Sequence, residues 1–332
     1  YTANRGEPAL RQAVCRYVAK HFGAQYDWER EVLVTVGVSE ALDVAMRTLL
    51  NPGDEVLYHE PCFVSYRPTI VLAGGVPVCV ETRREDDFRL TRPMLEAAVT
   101  PKTRVLLLNF PCNPTGAVLS RADVEDIADF CIAHDLTLVS DEIYAELTYD
   151  RPHVSFVSVP GMKERTVFLH GMSKAWAMTG FRIGYACAPA DILENMMKLH
   201  QYAIMSAPTT GQRAAAEALD HGDEAVAQMV AEYNRRRRYL ISAFAEMGVP
   251  CHTPAGAFYA FPYVGGFGLS SEEFALRLLE EHQVAAVPGD AFGRSGAGFL
   301  RCAYATGMDQ IRESMRRFAD FVATLRKEGR GA

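Results

Sequence analysis

None of the eight cysteines stands in a C-x-x-C pair or beside a histidine cluster; they are scattered singly at positions 15, 62, 79, 112, 131, 187, 251 and 302. That scatter excludes a zinc ribbon and a disulfide framework, and it fits a reducing, cytoplasmic compartment. Long apolar runs are missing as well, since none approaches the roughly 20 residues a membrane span needs. Basic charge is not in excess: 34 Lys and Arg against 41 Asp and Glu give a formal charge of −7. The one dense basic run, "NRRRR" at 234–238, lies in a helical pattern and reads as a solvated helix face, not a nucleic-acid footprint. No charged-then-apolar leader opens the chain, and its first residue is Tyr1 instead of Met, so the expectation is that the natural beginning precedes it. Neither a metal site, a membrane nor a nucleic acid is expected as a partner.

What the chain does have is core. Over 332 residues, 49% are hydrophobic and 23% charged, which suits one large domain and a smaller one. Apolar runs at 55–59, 76–80, 104–110, 136–142, 166–171 and 183–188 read as strands. Several are apolar throughout, as expected of a largely parallel sheet covered on both faces. Helical patterns alternate with them: "SEALDVAMRTLLNPGD" offers Ser39 as an N-cap and a Pro-Gly stop, and "SRADVEDIADFCIAHD" offers Ser120. After about residue 230 the texture changes to a long charged helix (about 223–247), helices at 270–282 and 308–327, and short strands around "VAAVPG" and "GFLRCAYA". The chain is therefore divided at 1–235 and 236–332, the second part a smaller α+β unit.

In an open α/β sheet, ligands sit at the carboxyl ends of the strands. The polar residues that interrupt apolar runs fall there: Asn113 in "PCNPTG", Asp141 and Tyr144 closing "LTLVSDEIY", and Lys174 after "TVFLHG". "VTVGVSEAL" brings a Gly and a Ser to a helix start, where free N–H groups suit an anion. Each has a plain counterpart. "NPTG" is also a good turn, Asp141 a turn cap, Tyr144 a core phenol, and Lys174 a lysine that snorkels to water. If Lys174 is desolvated instead, its neutral amine is favoured, and a neutral amine is a nucleophile.

The strings "GMSKAWAMTGFRIG", "NFPCNPTG", "SDEIY" and "FLRCAYA", in that family's order and spacing, resemble the class I/II aminotransferases of the aspartate aminotransferase family. The similarity runs from Tyr1 to about residue 325 and is greatest to a bacterial branch that includes aspartate, aromatic and N-acetyl-diaminopimelate aminotransferases. It implies a three-layer fold: a mostly parallel sheet flanked by helices, with a smaller α+β C-terminal domain. It also implies the cofactor pyridoxal 5′-phosphate (PLP), amino-acid and 2-oxo-acid substrates exchanged in a ping-pong reaction, and a homodimer with shared active sites.

Residue by residue, the resemblance makes Lys174 the cofactor-holding amine and later the proton carrier. Asp141 would pair with the pyridine nitrogen, Tyr144 and Asn113 would meet the phenolic oxygen, and Phe63 would stack on the ring. Val38, Ser39, Ser173 and Arg182 would hold the phosphate, where a guanidinium suits better than an ammonium. Arg301, with Asn113 beside it, would clamp the substrate carboxylate. Tyr1 would reach the neighbouring subunit's phosphate. Gly171 stands where relatives commonly carry a serine, which implies a somewhat different phosphate cup, and a stretch before Tyr1 would complete the small domain. A carbon–sulfur β-lyase on the same fold, a non-catalytic PLP-binding sensor domain and an unrelated α/β protein are the alternatives. Keto-acid-dependent turnover, against release of pyruvate and ammonia, separates transamination from the lyase.

Overall fold

The computed structural model describes residues 2–331. A seven-stranded sheet is built from β1 (Val32–Thr35), β2 (Glu55–Glu60), β3 (Val76–Glu81), β4 (Thr103–Asn109), β5 (Thr137–Asp141), β6 (Thr166–Gly171) and β7 (Gly184–Cys187). Their order is β1-β7-β6-β5-β4-β2-β3. From β3 to β6 the pairs are parallel, whereas β7 runs antiparallel to both β6 and β1. Six of these strands match the apolar runs of the sequence. The seventh, β1, was hidden in the run "VLVTVG", where its four residues lead straight into a helix.

The sheet is covered by α1 (Pro8–Phe22), α2 (Gly37–Leu49), α3 (Tyr66–Leu72), α4 (Arg92–Glu96), α5 (Arg121–Ala133), α6 (Ala190–Ala203) and α7 (Thr209–His221). Alternate residues of β4 serve opposite faces, as strand geometry requires. Leu106 and Leu108 join a core with Val124 and Ile127 of α5, while Val105 and Leu107 join another with Ala41 and Ala45 of α2 and Met196 of α6. This two-sided burial is why the strands carry so few polar residues. Ser120 caps α5 as expected, its hydroxyl accepting the Asp123 N–H while the Asp123 carboxylate accepts the Ser120 N–H.

Ser39 does not cap α2. The helix begins at Gly37, whose φ of +71° lets the chain turn in two residues earlier, and Ser39 lies in the first turn. The Val36 N–H is instead taken by the Glu40 carboxylate at 2.5 Å.

The C-terminal part comprises α8 (Asp223–Glu246), β8 (Tyr259–Ala260), α9 (Ser271–His282), β9 (Val287–Pro288), β10 (Leu300–Ala303) and α10 (Met308–Lys327). Its strands form a small antiparallel sheet, β8-β10-β9. Phe244 of α8, Phe274 of α9, Leu300 of β10 and Phe318 of α10 share a core of their own. Residue 235 lies within α8, so that helix is continuous across the boundary set at 235. The basic run on α8 is only partly a solvated face. Arg235 and Arg236 pair with Glu232, but Arg237 is buried, bonding both carboxylate oxygens of Asp150 and the Pro254 carbonyl. No helix among the described residues is long and apolar enough to cross a membrane.

Candidate active site

Asp141 is the last residue of β5 and lies in register with Asn109, the last of β4. Asn109 binds both neighbours: its Nδ2 donates to the Asp141 carbonyl at 2.8 Å, and its Oδ1 accepts the Asn113 N–H at 3.1 Å. The Asp141 carboxylate is buried, with Oδ2 accepting from the Tyr66 hydroxyl at 2.8 Å and Oδ1 from the Ile143 N–H at 3.2 Å. Burial pushes this carboxyl up to about 6, and the two hydrogen bonds, with His170 and Lys174 nearby, keep it from rising further. A buried carboxylate so poised is suited to a cationic partner in the adjoining space.

Lys174 and Ser173 lie in the turn that follows β6. The Lys174 Nζ sits 5.7 Å from the ring centre of Tyr144 and 5.8 Å from that of Phe258. Desolvation lowers its pKa, Asp141 opposes that, and Arg301 and Arg182 lower it further. The amine is thus biased toward its nucleophilic, proton-accepting form. Tyr144, three residues beyond Asp141, is buried with its hydroxyl 2.9 Å from that of Tyr259.

The first turn of α2 brings the Val38 and Ser39 backbone toward Arg182, which has φ of +53° and bonds the Thr179 carbonyl at 2.9 Å. A Cβ on Gly37 would lie 2.4 Å from Nη2 of Arg182. One on Gly171 would lie 2.7 Å from the Gly184 Cα, so β6 and β7 leave no room there for a serine side chain. Helix N–H groups, hydroxyls and a guanidinium meeting at a glycine-lined close approach form a donor set for a phosphate.

Arg301 enters from β10, in the small sheet. Its guanidinium lies between the rings of Tyr259 and Phe292, 4.6 and 4.8 Å from their centres, and its Nη1 donates to Asn113 Oδ1 at 3.1 Å. Its Nε is buried with no hydrogen-bond partner among the described residues.

Asp141, Asn113, Lys174, Tyr144, Arg182 and Arg301 line one cavity of about 400 Å³, and Phe63 forms part of its wall. Ten of the eleven residues singled out in the sequence meet there; Tyr1 lies outside the described residues. Of the six lining residues that the sequence reading passed over, Tyr66, Asn109 and Tyr259 make hydrogen bonds to others in the site. Asn109 had a usable signal, a polar residue closing an apolar strand. The two tyrosines had none, because a buried phenol looks like core until its distant partner is known.

Residues 1–319 match the family model described as aminotransferase class I and II. The chain belongs to that family. It is 44% identical over 320 residues to an aspartate aminotransferase of Pyrococcus abyssi, covering 96% of this chain and 82% of that protein. It is also 44% identical over 320 residues to an aromatic-amino-acid aminotransferase of Thermococcus litoralis, with the same coverage. Among solved structures, the aromatic aminotransferase of Pyrococcus horikoshii superposes with a TM-score of 0.96 at 43% identity, covering 98% of this chain and 87% of that one. The enzyme is a transaminase with the three-layer fold of its family, a family that works with PLP. These relatives lend no support to the lyase or sensor readings.

Proposed function

We propose that this aminotransferase binds PLP in the 400 Å³ cavity and moves an amino group from an L-amino acid to a 2-oxo acid in two half-reactions. The observation that carries the reading is the meeting of Lys174, Asp141, Tyr144, Asn113, Arg182 and Arg301, drawn from the chain at the ends of β4, β5 and β6, before β7 and within β10, on that single cavity. The residues present fit the cofactor. The glycine-lined cup at Gly37 and Arg182 matches its phosphate, and the buried Asp141 carboxylate matches its pyridine nitrogen.

When bound, PLP supplies an electron sink for the charge left as the substrate's α-proton departs. The chain's own groups do the rest. Lys174 would hold the cofactor through its amine and, as a partly desolvated amine, would accept and return the α-proton. Asp141 would favour a protonated pyridine nitrogen, and Tyr144 and Asn113 would offer hydrogen bonds to the phenolic oxygen. Val38, Ser39, Ser173 and Arg182 would hold the phosphate, Phe63 would cover the ring, and Arg301 would take the α-carboxylate in a paired hydrogen bond beside Asn113.

The donor is aspartate, an aromatic amino acid or N-acetyl-diaminopimelate. We assign the enzyme to the cytoplasm and divide it into a PLP-binding part and a small part that brings Arg301, with α8 bridging them. We further assign it a homodimer with shared active sites. Phe181, next to Arg182, and Tyr202, Ile204 and Met205 after it are exposed, an apolar surface that a second copy would cover.

The test is the visible absorption of the PLP-loaded protein. One amino acid at a time is added without keto acid; the true donor is expected to bleach the band, and its 2-oxo acid to restore it. Pyruvate and ammonia release without keto acid would place elimination first. Lys174→Ala should lose the band and cut turnover by at least about 10²–10⁴-fold, the scale of a lost general base; retained turnover would refute the role given to it.

A further inference from the structure

We propose that Tyr259 is a positioning residue shared by the two halves of the site, its hydroxyl setting the hydrogen-bonding role of Tyr144 and its ring face holding the Arg301 guanidinium. The inference rests on the reading above, in which Tyr144 faces the cofactor and Arg301 the substrate carboxylate. Tyr259 lies on β8 opposite Ala303 of β10. Arg301 is two residues from Ala303 and so points to the same face of the small sheet. That diagonal neighbour relation brings the Arg301 guanidinium to 4.6 Å from the Tyr259 ring centre.

At its other end the Tyr259 hydroxyl is 2.9 Å from that of Tyr144, and neither hydroxyl has another side-chain partner among the described residues. Each phenol has a single proton. If Tyr144 gives its proton to Tyr259, nothing is left to donate into the cavity. If Tyr259 gives its proton to Tyr144, the Tyr144 proton is free for an acceptor there. A cation against the ring face of Tyr259 withdraws electron density from its oxygen, which makes Tyr259 the better donor of the two. The ring contact with Arg301 therefore selects the second arrangement. A carboxylate bound to Arg301 offsets that cation, so substrate arrival is felt at Tyr144 through one intervening side chain.

Two variants separate the two functions. Tyr259→Phe keeps the ring and removes the hydroxyl; Tyr259→Leu removes both. In steady-state kinetics of the PLP-loaded enzyme, Tyr259→Phe is expected to lower kcat about five- to tenfold, the scale of one neutral hydrogen bond, with KM for the amino acid within about twofold of wild type. Tyr259→Leu is expected to raise KM by about tenfold as well, the scale of a desolvated cation–π contact. A second readout needs no turnover. With tyrosines carrying 13C at Cζ, the Tyr144 resonance of the full chain, assigned by its loss in Tyr144→Phe, should move in Tyr259→Phe both with and without PLP.

An unmoved Tyr144 resonance, or a Tyr259→Phe whose kcat equals wild type, overturns the hydroxyl role. Equal KM values for the two variants overturn the ring role. A wild-type protein that neither binds PLP nor bleaches with any donor would sink the proposed function instead, and the resonance shift would still report on the tyrosine pair.

Discussion

The hydroxyl of Tyr66 donates to Oδ2 of Asp141 at 2.8 Å across 75 residues of chain, from the first turn of α3 to the end of β5. It is one of two hydrogen bonds that hold this carboxylate, the other being the Ile143 N–H. Tyr66→Phe keeps the ring, which is fully buried, and removes the bond. The carboxylate then rises above its value of about 6, and it pairs less well with a pyridine nitrogen. We expect kcat to fall about tenfold with KM for the amino acid nearly unchanged, because the loss is electronic and does not touch the substrate clamp. Steady-state kinetics check this, and an unchanged kcat would remove Tyr66 from the site.

Arg301 separates charge from shape. Arg301→Ala should weaken amino-acid binding by about 2–5 kcal/mol, the range for losing one partner of a desolvated charge pair, and leave the resting absorption band of the loaded enzyme alone. Arg301→Lys keeps the charge but neither the planar fork nor its fit between Tyr259 and Phe292. It should therefore recover only a minor part of that affinity. Titration with the amino donor gives both numbers, and a variant with altered resting band and unaltered affinity would move Arg301 from substrate to cofactor.

How much of this was legible in the sequence depended on how far apart the partners are. The strand runs were visible because two-sided burial leaves whole segments apolar, as in β6. The cap at Ser120 was visible because both partners lie within four residues. Strand direction was not: nothing in "IGYACA" says that β7 runs against its neighbours, since that depends on where the following chain returns. Ser39 was read as a cap because local pattern cannot register the glycine turn and the Glu40 carboxylate that start α2 earlier. Among site residues, the strand-end polar groups stood out against apolar surroundings. Tyr66 and Tyr259 did not, because their hydroxyl partners lie 75 and 115 residues away.

A second long-range tie has a stability consequence. His200 of α6 is wholly buried, with Nδ1 2.6 Å from Glu40 Oε1 and Nε2 2.8 Å from the Asn4 carbonyl. Both ring nitrogens thus meet an oxygen, so one buried imidazole ties together three stretches of chain that are far apart in sequence. The pair ties Asn4 to the start of α2, where the same Glu40 also takes the Val36 N–H. His200→Leu strands the Glu40 carboxylate, and the expected cost is about 3–5 kcal/mol of unfolding free energy. Urea denaturation should show a lower midpoint at unchanged slope. A midpoint equal to wild type would mean that the bond to Val36 alone satisfies Glu40.

Asp141 gives a pH test whose sign is fixed by burial. Its carboxyl is raised from 3.8 to about 6 in the folded chain, so between about pH 4 and pH 6 the folded protein holds a proton that the unfolded chain has released. The stability this group contributes is full below about pH 4 and is lost as pH rises through about 6, a loss of about 3 kcal/mol by pH 7. Asp141→Asn carries no such charge. In the PLP-free protein the variant should therefore match wild type near pH 4 and exceed it by up to about that amount at pH 7. PLP reverses the order, because a protonated pyridine nitrogen gives the carboxylate the partner it lacks and leaves the amide with little to offer. Unfolding midpoints of both proteins across this pH range, with and without PLP, decide it. A stability difference independent of pH would mean that Asp141 is already neutralised by groups of the protein itself, and a site that needs no cation would have no reason to hold one.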